Sequence, residues 1–173
     1  MSENSQNNQP EQDLSGVTLL GNQNTKYKFE YDPSILERFK RKFGESQEDE
    51  QIVNIDFFEW VGRCPRTGQP DLASFHISYI PNEYFVESKS LKLYMFSFQQ
   101  HGDFHESVTH MIMQDLVDLL QPKYLSVYGD FNSRGGCCLL PLSIYADEDH
   151  KDLKRQMQVA CMTNCFNHKP RTS

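Results

Sequence analysis

Leu72-Ala-Ser-Phe-His-Ile-Ser-Tyr-Ile80 is the stretch that decides the fold class. Ala73, Phe75, Ile77 and Tyr79 fall on one side of an extended chain, and Ser74, His76 and Ser78 on the other. Strand side chains alternate between faces, so this period of two describes a strand with one face on a core and one toward water. Such one-sided strands belong to antiparallel sheets. Pro81 and Asn82 end it in a turn. Upstream, Gln51 to Trp60 is rich in β-branched and aromatic residues and predicts the strand before it. Downstream, Leu91, Tyr94, Met95 and Phe98 recur at helical spacing and predict a helix from Ser88 to Phe98. Phe104, Val108, Met111, Ile112 and Leu119 predict a second helix from Asp103 to Leu120, stopped by Pro122. Lys123 to Phe131 and Cys138 to Tyr145 read as two more strands, joined by Asn132-Ser-Arg-Gly-Gly136. A last helix runs from Asp147 to Asn164. Strands and helices in blocks predict an α+β fold: an antiparallel four-stranded sheet with helices on one face. The open edges of such a sheet must be paired or covered, and oligomerisation is a natural way to do so.

Pro33 to Phe43 predicts a further helix, with Ile35, Leu36, Phe39 and Phe43 on one stripe. Arg38, Lys40, Arg41 and Lys42 form its other face, a basic cluster that could meet phosphate, with a solvated face as the commoner reading. Residues 1–15 are rich in Asn, Gln, Ser and Glu, which predicts a disordered tail. Residues 16–24 form a loop-like entry and 45–51 an acidic linker. Residues 16–173 then make a single domain. The chain has 17 basic and 24 acidic residues, a net charge of −7. A protein that neutralises phosphates needs a surplus of Lys and Arg, so direct nucleic-acid binding is not expected. No apolar run approaches the ~20 residues that span a bilayer, and the polar N-terminus does not resemble a secretory signal. Five cysteines are an odd number, which argues against a disulfide framework and for a cytoplasmic protein with at least one free thiol.

Four segments could carry chemistry. Cys64-Pro-Arg-Thr-Gly-Gln-Pro-Asp71 joins two predicted strands and is stiffened by Pro65, Gly68 and Pro70. A rigid connecting loop is where a reactive thiol would sit, and a nearby carboxyl could exchange protons with its adduct. The plain structural account is a small buried Cys64 and a turn-forming Asp71. In Val86-Glu-Ser-Lys-Ser-Leu-Lys92, Ser88 could cap a helix whose start carries Lys89 and Lys92 on one face, suited to a phosphate. Solvated lysines are the plain account, for which Glu87 is an odd residue. In His101-Gly-Asp-Phe-His-Glu106, Asp103 and Glu106 make a capping-box pattern. The same Glu106 could accept paired hydrogen bonds from a guanine-like ring, and His105 could shuttle protons. Ser133-Arg134-Gly135-Gly136 reads equally as a hairpin turn or as an anion nest with an arginine fork. No metal site is expected: Cys137 and Cys138 point to opposite faces of a strand, and Cys161 continues an apolar stripe with Leu153 and Met157, with Cys165 one turn on.

Together these segments resemble one family. Cys-Pro-Xaa-Thr-Gly-Gln-Pro-Asp, Glu87-Ser-Lys-Ser-Leu-Lys-Leu-Tyr94 and His-Gly-Asp-Phe-His-Glu, in this order over roughly residues 50–145, are similar to the NADPH-dependent nitrile reductases of queuosine biosynthesis, the 7-cyano-7-deazaguanine reductases of the short, single-module type. The resemblance implies a tunnelling fold whose sheets assemble into rings, as a decamer of two pentamers. It implies reduction of a small-molecule deazaguanine nitrile to the primary amine with two NADPH, through a covalent thioimide, without a metal. By match to the family motifs, Cys64 is the expected nucleophile and Asp71 the proton donor, with His105 assisting. Val86, Glu87, Ser88, His105 and Glu106 are expected around the base, and Lys89, Lys92 and Arg134 on the cofactor. Two other readings are a zinc-dependent, GTP cyclohydrolase-like enzyme of the same fold and a non-catalytic oligomer that binds purine-like bases.

Overall fold

The computed structural model describes residues 14–19, 26–42 and 51–164, with backbone alone for 160–164. Its main sheet is antiparallel throughout, in the order β2 (Val53–Arg63), β3 (Pro70–Ile80), β5 (Tyr124–Phe131) and β6 (Leu142–Ala146). Between β3 and β5 run α1 (Ser88–Ser97) and α2 (His105–Leu120), and α3 (Lys151–Asn164) follows β6. The α+β class and the antiparallel four-stranded sheet are those expected from the sequence.

The alternation in Leu72–Ile80 decides which face is covered. Ala73, Phe75, Ile77 and Tyr79 are all buried, and join Leu91, Tyr94, Met95 and Phe98 of the first helical segment and Val108, Ile112 and Leu116 of α2 in one core. The opposite face carries the exposed Phe58 and the hydrogen bond of His76 Nδ1 with Asp56 Oδ1. The register of β2 against β3 shifts between Phe57 and Trp60. The extra residue of this bulge changes the inward phase from odd to even numbers, so that Trp60, and not Glu59, enters the core. The indole then lies across Gly62, where a Cβ would come within 2.2 Å of the ring, so only glycine fits there.

Three expectations are corrected. Pro33–Phe43 is not a helix. Asp32 caps a short 3-10 turn, Pro33–Ile35, by accepting from Ser34 N, and Leu36 is already extended. Arg38–Lys40 (β1) then pairs antiparallel with Tyr84–Val86 (β4) in a small second sheet. Periodicity over one short segment could not register this partner about 45 residues away. The basic face is also not simply solvated: the Arg38 guanidinium lies 3.9 Å over the Tyr84 ring, and Arg41 donates to the carbonyls of Pro81 and Asn82. Phe43 lies outside the described residues, as do residues 1–13 of the expected 1–15 tail and 45–50 of the 45–51 linker.

The second correction concerns helix starts. Glu87, not Ser88, caps α1: its two carboxylate oxygens accept from Lys89 N at 2.9 Å and Ser90 N at 2.6 Å. α2 begins one residue later than the capping-box pattern requires. Asp103 Oδ1 accepts from the adjacent Phe104 N, Phe104 is the cap residue, and Glu106 stands too early in the helix to reach back. Third, the last strand begins at Leu142 rather than Cys138. Leu139 and Pro141 still offer carbonyls to β5, but Pro141 has no N–H for a ladder. Among the described residues, no helix is long and apolar enough to cross a membrane.

Candidate active site

Cys64 follows the last residue of β2 on a loop closed upon itself. Cys64 N donates to Gln69 O and Gly68 N donates to Cys64 O, both at 2.9 Å. Gly68 has φ +69°, a left-handed conformation that glycine adopts without strain. Arg63 fastens the loop from beneath, donating to Gly68 O and to Gln100 Oε1. The half-buried thiol is held down to about 7. The Thr67 hydroxyl contributes most, followed by the backbone N–H groups of Arg66 and Thr67; partial desolvation opposes them, and the Arg134 guanidinium adds a smaller lowering contact. An ordinary cysteine has a pKa of about 8.5 and is only a few per cent thiolate at neutral pH. Lowering the pKa of Cys64 enlarges that fraction.

Asp71 is the second residue of β3 and is buried, 4% exposed. Two basic side chains face it. His105 Nε2 lies 3.0 Å from Asp71 Oδ1, and Arg134 Nη2 lies 2.5 Å from the same oxygen. A buried carboxylate needs such partners, since an unpaired buried charge is strongly destabilising. His105, in the first turn of α2, stacks flat on the Phe131 ring with centroids 3.9 Å apart and planes at 10°. That stacking fixes the imidazole plane, and its Nδ1 is buried without a hydrogen-bond partner. Glu106, next along, is exposed.

Val86, Glu87 and Ser88 occupy a different place. They stand where β4 enters α1, beside a groove of about 570 Å³ lined by Phe39, Val53, Ile55, Tyr79, Phe85 and Leu91 among others. Val86 and Ser88 line it, as does the exposed Lys92. The groove takes its lining from the first half of β2, residues 53–57, and Cys64 lies just past the end of that strand, so the two groups stand toward its opposite ends. Within one chain, Glu87 and Glu106 are therefore at opposite ends of the sheet. The three expected cofactor cations are divided as well. Lys92 is on the groove, Lys89 Nζ donates to Leu19 O at 2.9 Å, and Arg134 is at the Cys64 end, on Asp71 and on Pro70 O.

Two participants are absent from the sequence reading. Thr67 was part of the quoted motif, yet its spacing from Cys64, three residues across a Gly-closed turn, is the signal that its hydroxyl returns to the thiol. Phe131 carries no local signal, since its contact with His105 exists only once the sheet has formed. Among the described residues no group of three His, Cys, Asp or Glu could hold a metal, and the side chains of Cys161 and Cys165 lie outside them.

Residues 70–151 match the family model described as QueF-like protein, a span that contains the Glu87–Tyr94 and His101–Glu106 motifs and begins six residues after Cys64. The chain is 51% identical over 141 residues to the NADPH-dependent 7-cyano-7-deazaguanine reductase of Bacillus subtilis (strain 168), covering 78% of this chain and 80% of that one. The corresponding enzyme of Alkaliphilus metalliredigens (strain QYMF) is 50% identical over 131 residues, with 76% and 77% covered. Among solved structures, the apo form of the archaeosine synthase QueF-Like superposes with a TM-score of 0.53 over 58% of this chain and 98% of its own, at 15% identity; this likeness is one of fold. The motifs, the fold and the extent of identity agree: the chain belongs to the family of NADPH-dependent 7-cyano-7-deazaguanine reductases.

Proposed function

We propose that this protein, as one cytoplasmic reductase domain over residues 16–173, reduces the nitrile of 7-cyano-7-deazaguanine to the primary amine with two NADPH, in the biosynthesis of queuosine. The observation that carries the reading is a thiol held near 7 on a closed loop, seven residues before a buried carboxylate paired with a histidine.

The chemistry follows from those groups. Cys64 Sγ bonds to the nitrile carbon, and the nitrogen, gaining an electron pair, takes a proton through Asp71, whose carboxylate receives it from His105. The product is a thioimide on Cys64. Bound NADPH supplies a hydride to this carbon in each of two rounds. After the first, the C–S bond breaks and Cys64 leaves as thiolate, an easy departure for a thiol of low pKa, with an imine remaining. After the second, a further proton completes the amine, and His105, in contact with Asp71, is placed to replenish that proton. Glu87 and Glu106 grip the donor edge of the base, with Val86, Ser88 and His105 in the same pocket.

Because the two carboxylates stand at opposite ends of β2, one pocket containing both requires two copies of the chain. The exposed edges β2 and β6 of the sheet support such pairing. We therefore read the assembly as a ring of tunnelling-fold sheets, two stacked pentamers, with sites between neighbours. The chain carries no Gly-rich dinucleotide fingerprint, so basic side chains must meet the phosphates of the cofactor. Lys92 is exposed on the groove and fits this use; Lys89 and Arg134 would first exchange the partners they hold within the chain.

The test is NADPH consumption by the purified protein with 7-cyano-7-deazaguanine, beside a Cys64→Ala control. Two NADPH consumed per nitrile, and none in the control, is the expected result. Full consumption by the control would overturn it.

A further inference from the structure

We infer that Arg134 is a positioning residue, holding the carboxylate of Asp71 and the Cys64 loop in fixed relation, and is not a contact for the cofactor. The inference rests on the roles given to Cys64 and Asp71 above. One nitrogen, Arg134 Nη2, donates to Pro70 O at 2.8 Å and stands 2.5 Å from Asp71 Oδ1. Pro70 is where the Cys64 loop becomes β3, so this single group joins the end of the loop to the side chain of the next residue.

The turn that bears Arg134 is built to aim it. Arg134 N donates to Cys137 O at 2.9 Å, and Cys137 N donates to Arg134 O at 3.0 Å. Gly135 and Gly136, the two residues between, have φ +57° and +81°. A two-residue hairpin turn of this kind needs left-handed conformations at both central positions, which glycine provides. The base of the turn is tied to the same part of β3, since Asn132 N donates to Leu72 O at 2.9 Å. Arg134 thus leaves a short, closed turn registered against the residue after Asp71.

Energetics argue that the guanidinium stays. Asp71 is buried, and the partners shown for its carboxylate are Arg134 and His105. Drawing Arg134 onto a phosphate would leave the carboxylate to His105 alone, and breaking a buried pair is costly. Among the described residues, the charged and titratable groups at this end are Cys64, Arg63 and Arg66 of the loop region, Asp71 of β3, His101 and Asp103 before α2, His105 and Glu106 in its first turn, Asp130 of β5, and Arg134, Cys137 and Cys138 of the turn. The guanidinium also reaches the Cys64 thiol, as the smallest of the contacts that lower it.

Two variants test this in the full chain, R134A and R134K. One readout is the pH dependence of Cys64 alkylation by iodoacetamide, followed on the Cys64 peptide by mass spectrometry so that the other four cysteines do not enter. The other is the division of the kinetic effect between kcat and the KM for NADPH. In R134A, kcat is expected to fall at least tenfold, the KM for NADPH to stay within twofold, and the alkylation midpoint to move upward from about 7. R134K, with one charge and no fork, is expected to recover both in part. A KM for NADPH raised tenfold or more, with kcat and the midpoint unchanged, would make Arg134 a cofactor contact and overturn the inference. No change in any of these would overturn it too. If R134A does not fold, R134K carries the same comparison against the parent chain. The alkylation profile needs neither nitrile nor NADPH, so a parent protein that fails to reduce the nitrile sinks the proposed function and leaves the alkylation test of Arg134 standing.

Discussion

The two ends of β2 are built differently. At the Cys64 end, hydrogen bonds and charge dominate: a closed loop, a thiol lowered by a hydroxyl and N–H groups, and a buried carboxylate between an arginine and a histidine. At the Val53 end there is a mainly apolar groove, beside which the carboxylate of Glu87 caps α1 with one hydrogen bond to each oxygen. In the proposed reaction the first end makes the bond and moves protons, while Glu87 at the other end and Glu106 at the first share the grip on the base, so the proposal needs two copies of the chain to complete one site.

The largest expected effect removes the reacting end altogether. Cys64→Ala should lower nitrile-dependent NADPH oxidation by about a thousandfold or more, since loss of a nucleophile is among the costliest changes to an active site. The activity of mixed oligomers is the sharpest test of the division itself. Cys64→Ala and Glu87→Gln subunits, each inactive alone, should on equal mixing and reassembly regain about a quarter of parental activity, the share of sites with one intact contribution from each neighbour. Mixtures that stay inactive would mean that each site uses a single chain. A smaller effect follows from Thr67→Val, which removes the main contact lowering Cys64. The thiol should return toward its ordinary value of about 8.5, and because only the thiolate attacks, the rate at pH 7 should drop about tenfold and recover as the pH is raised to 9. A rate ratio constant across this range would show that Thr67 acts otherwise. The smallest effect lies between the two ends. Gly62→Ala places a methyl within 2.2 Å of the Trp60 ring and should cost about 1–3 kcal/mol in denaturant unfolding, with the alkylation midpoint of Cys64 unchanged.

Much of the Cys64 end was legible in the sequence because its parts are local. Cys64, Thr67, Gly68 and Asp71 lie within eight residues, and a stiff loop between two strands can be read from Pro and Gly alone. The strand Leu72–Ile80 was legible for a similar reason, since alternation records which side meets the core. The helix starts were legible only to within a residue. A one-residue delay at Phe104 dissolves the capping box, and Glu87 caps α1 although Ser88 is a common capping residue type. Pro33–Phe43 has the apolar spacing of a helix, while the structure of its described part depends on hydrogen bonds to β4.

By itself, then, the sequence determined the α+β class, the strand that divides core from surface, and the stiff loop that joins Cys64 to Asp71, because these rest on side-chain periodicity and short-range turn chemistry. Only the tertiary structure decided that Arg134 meets Asp71 across 63 positions, that Phe131 lies under His105, and that Glu87 and Glu106 stand at opposite ends of one strand. Those contacts come from the pairing of β3 with β5 and the docking of α2 on the sheet. Pairing partners and register between distant segments are settled by burial of the whole core, which no local stretch of sequence records.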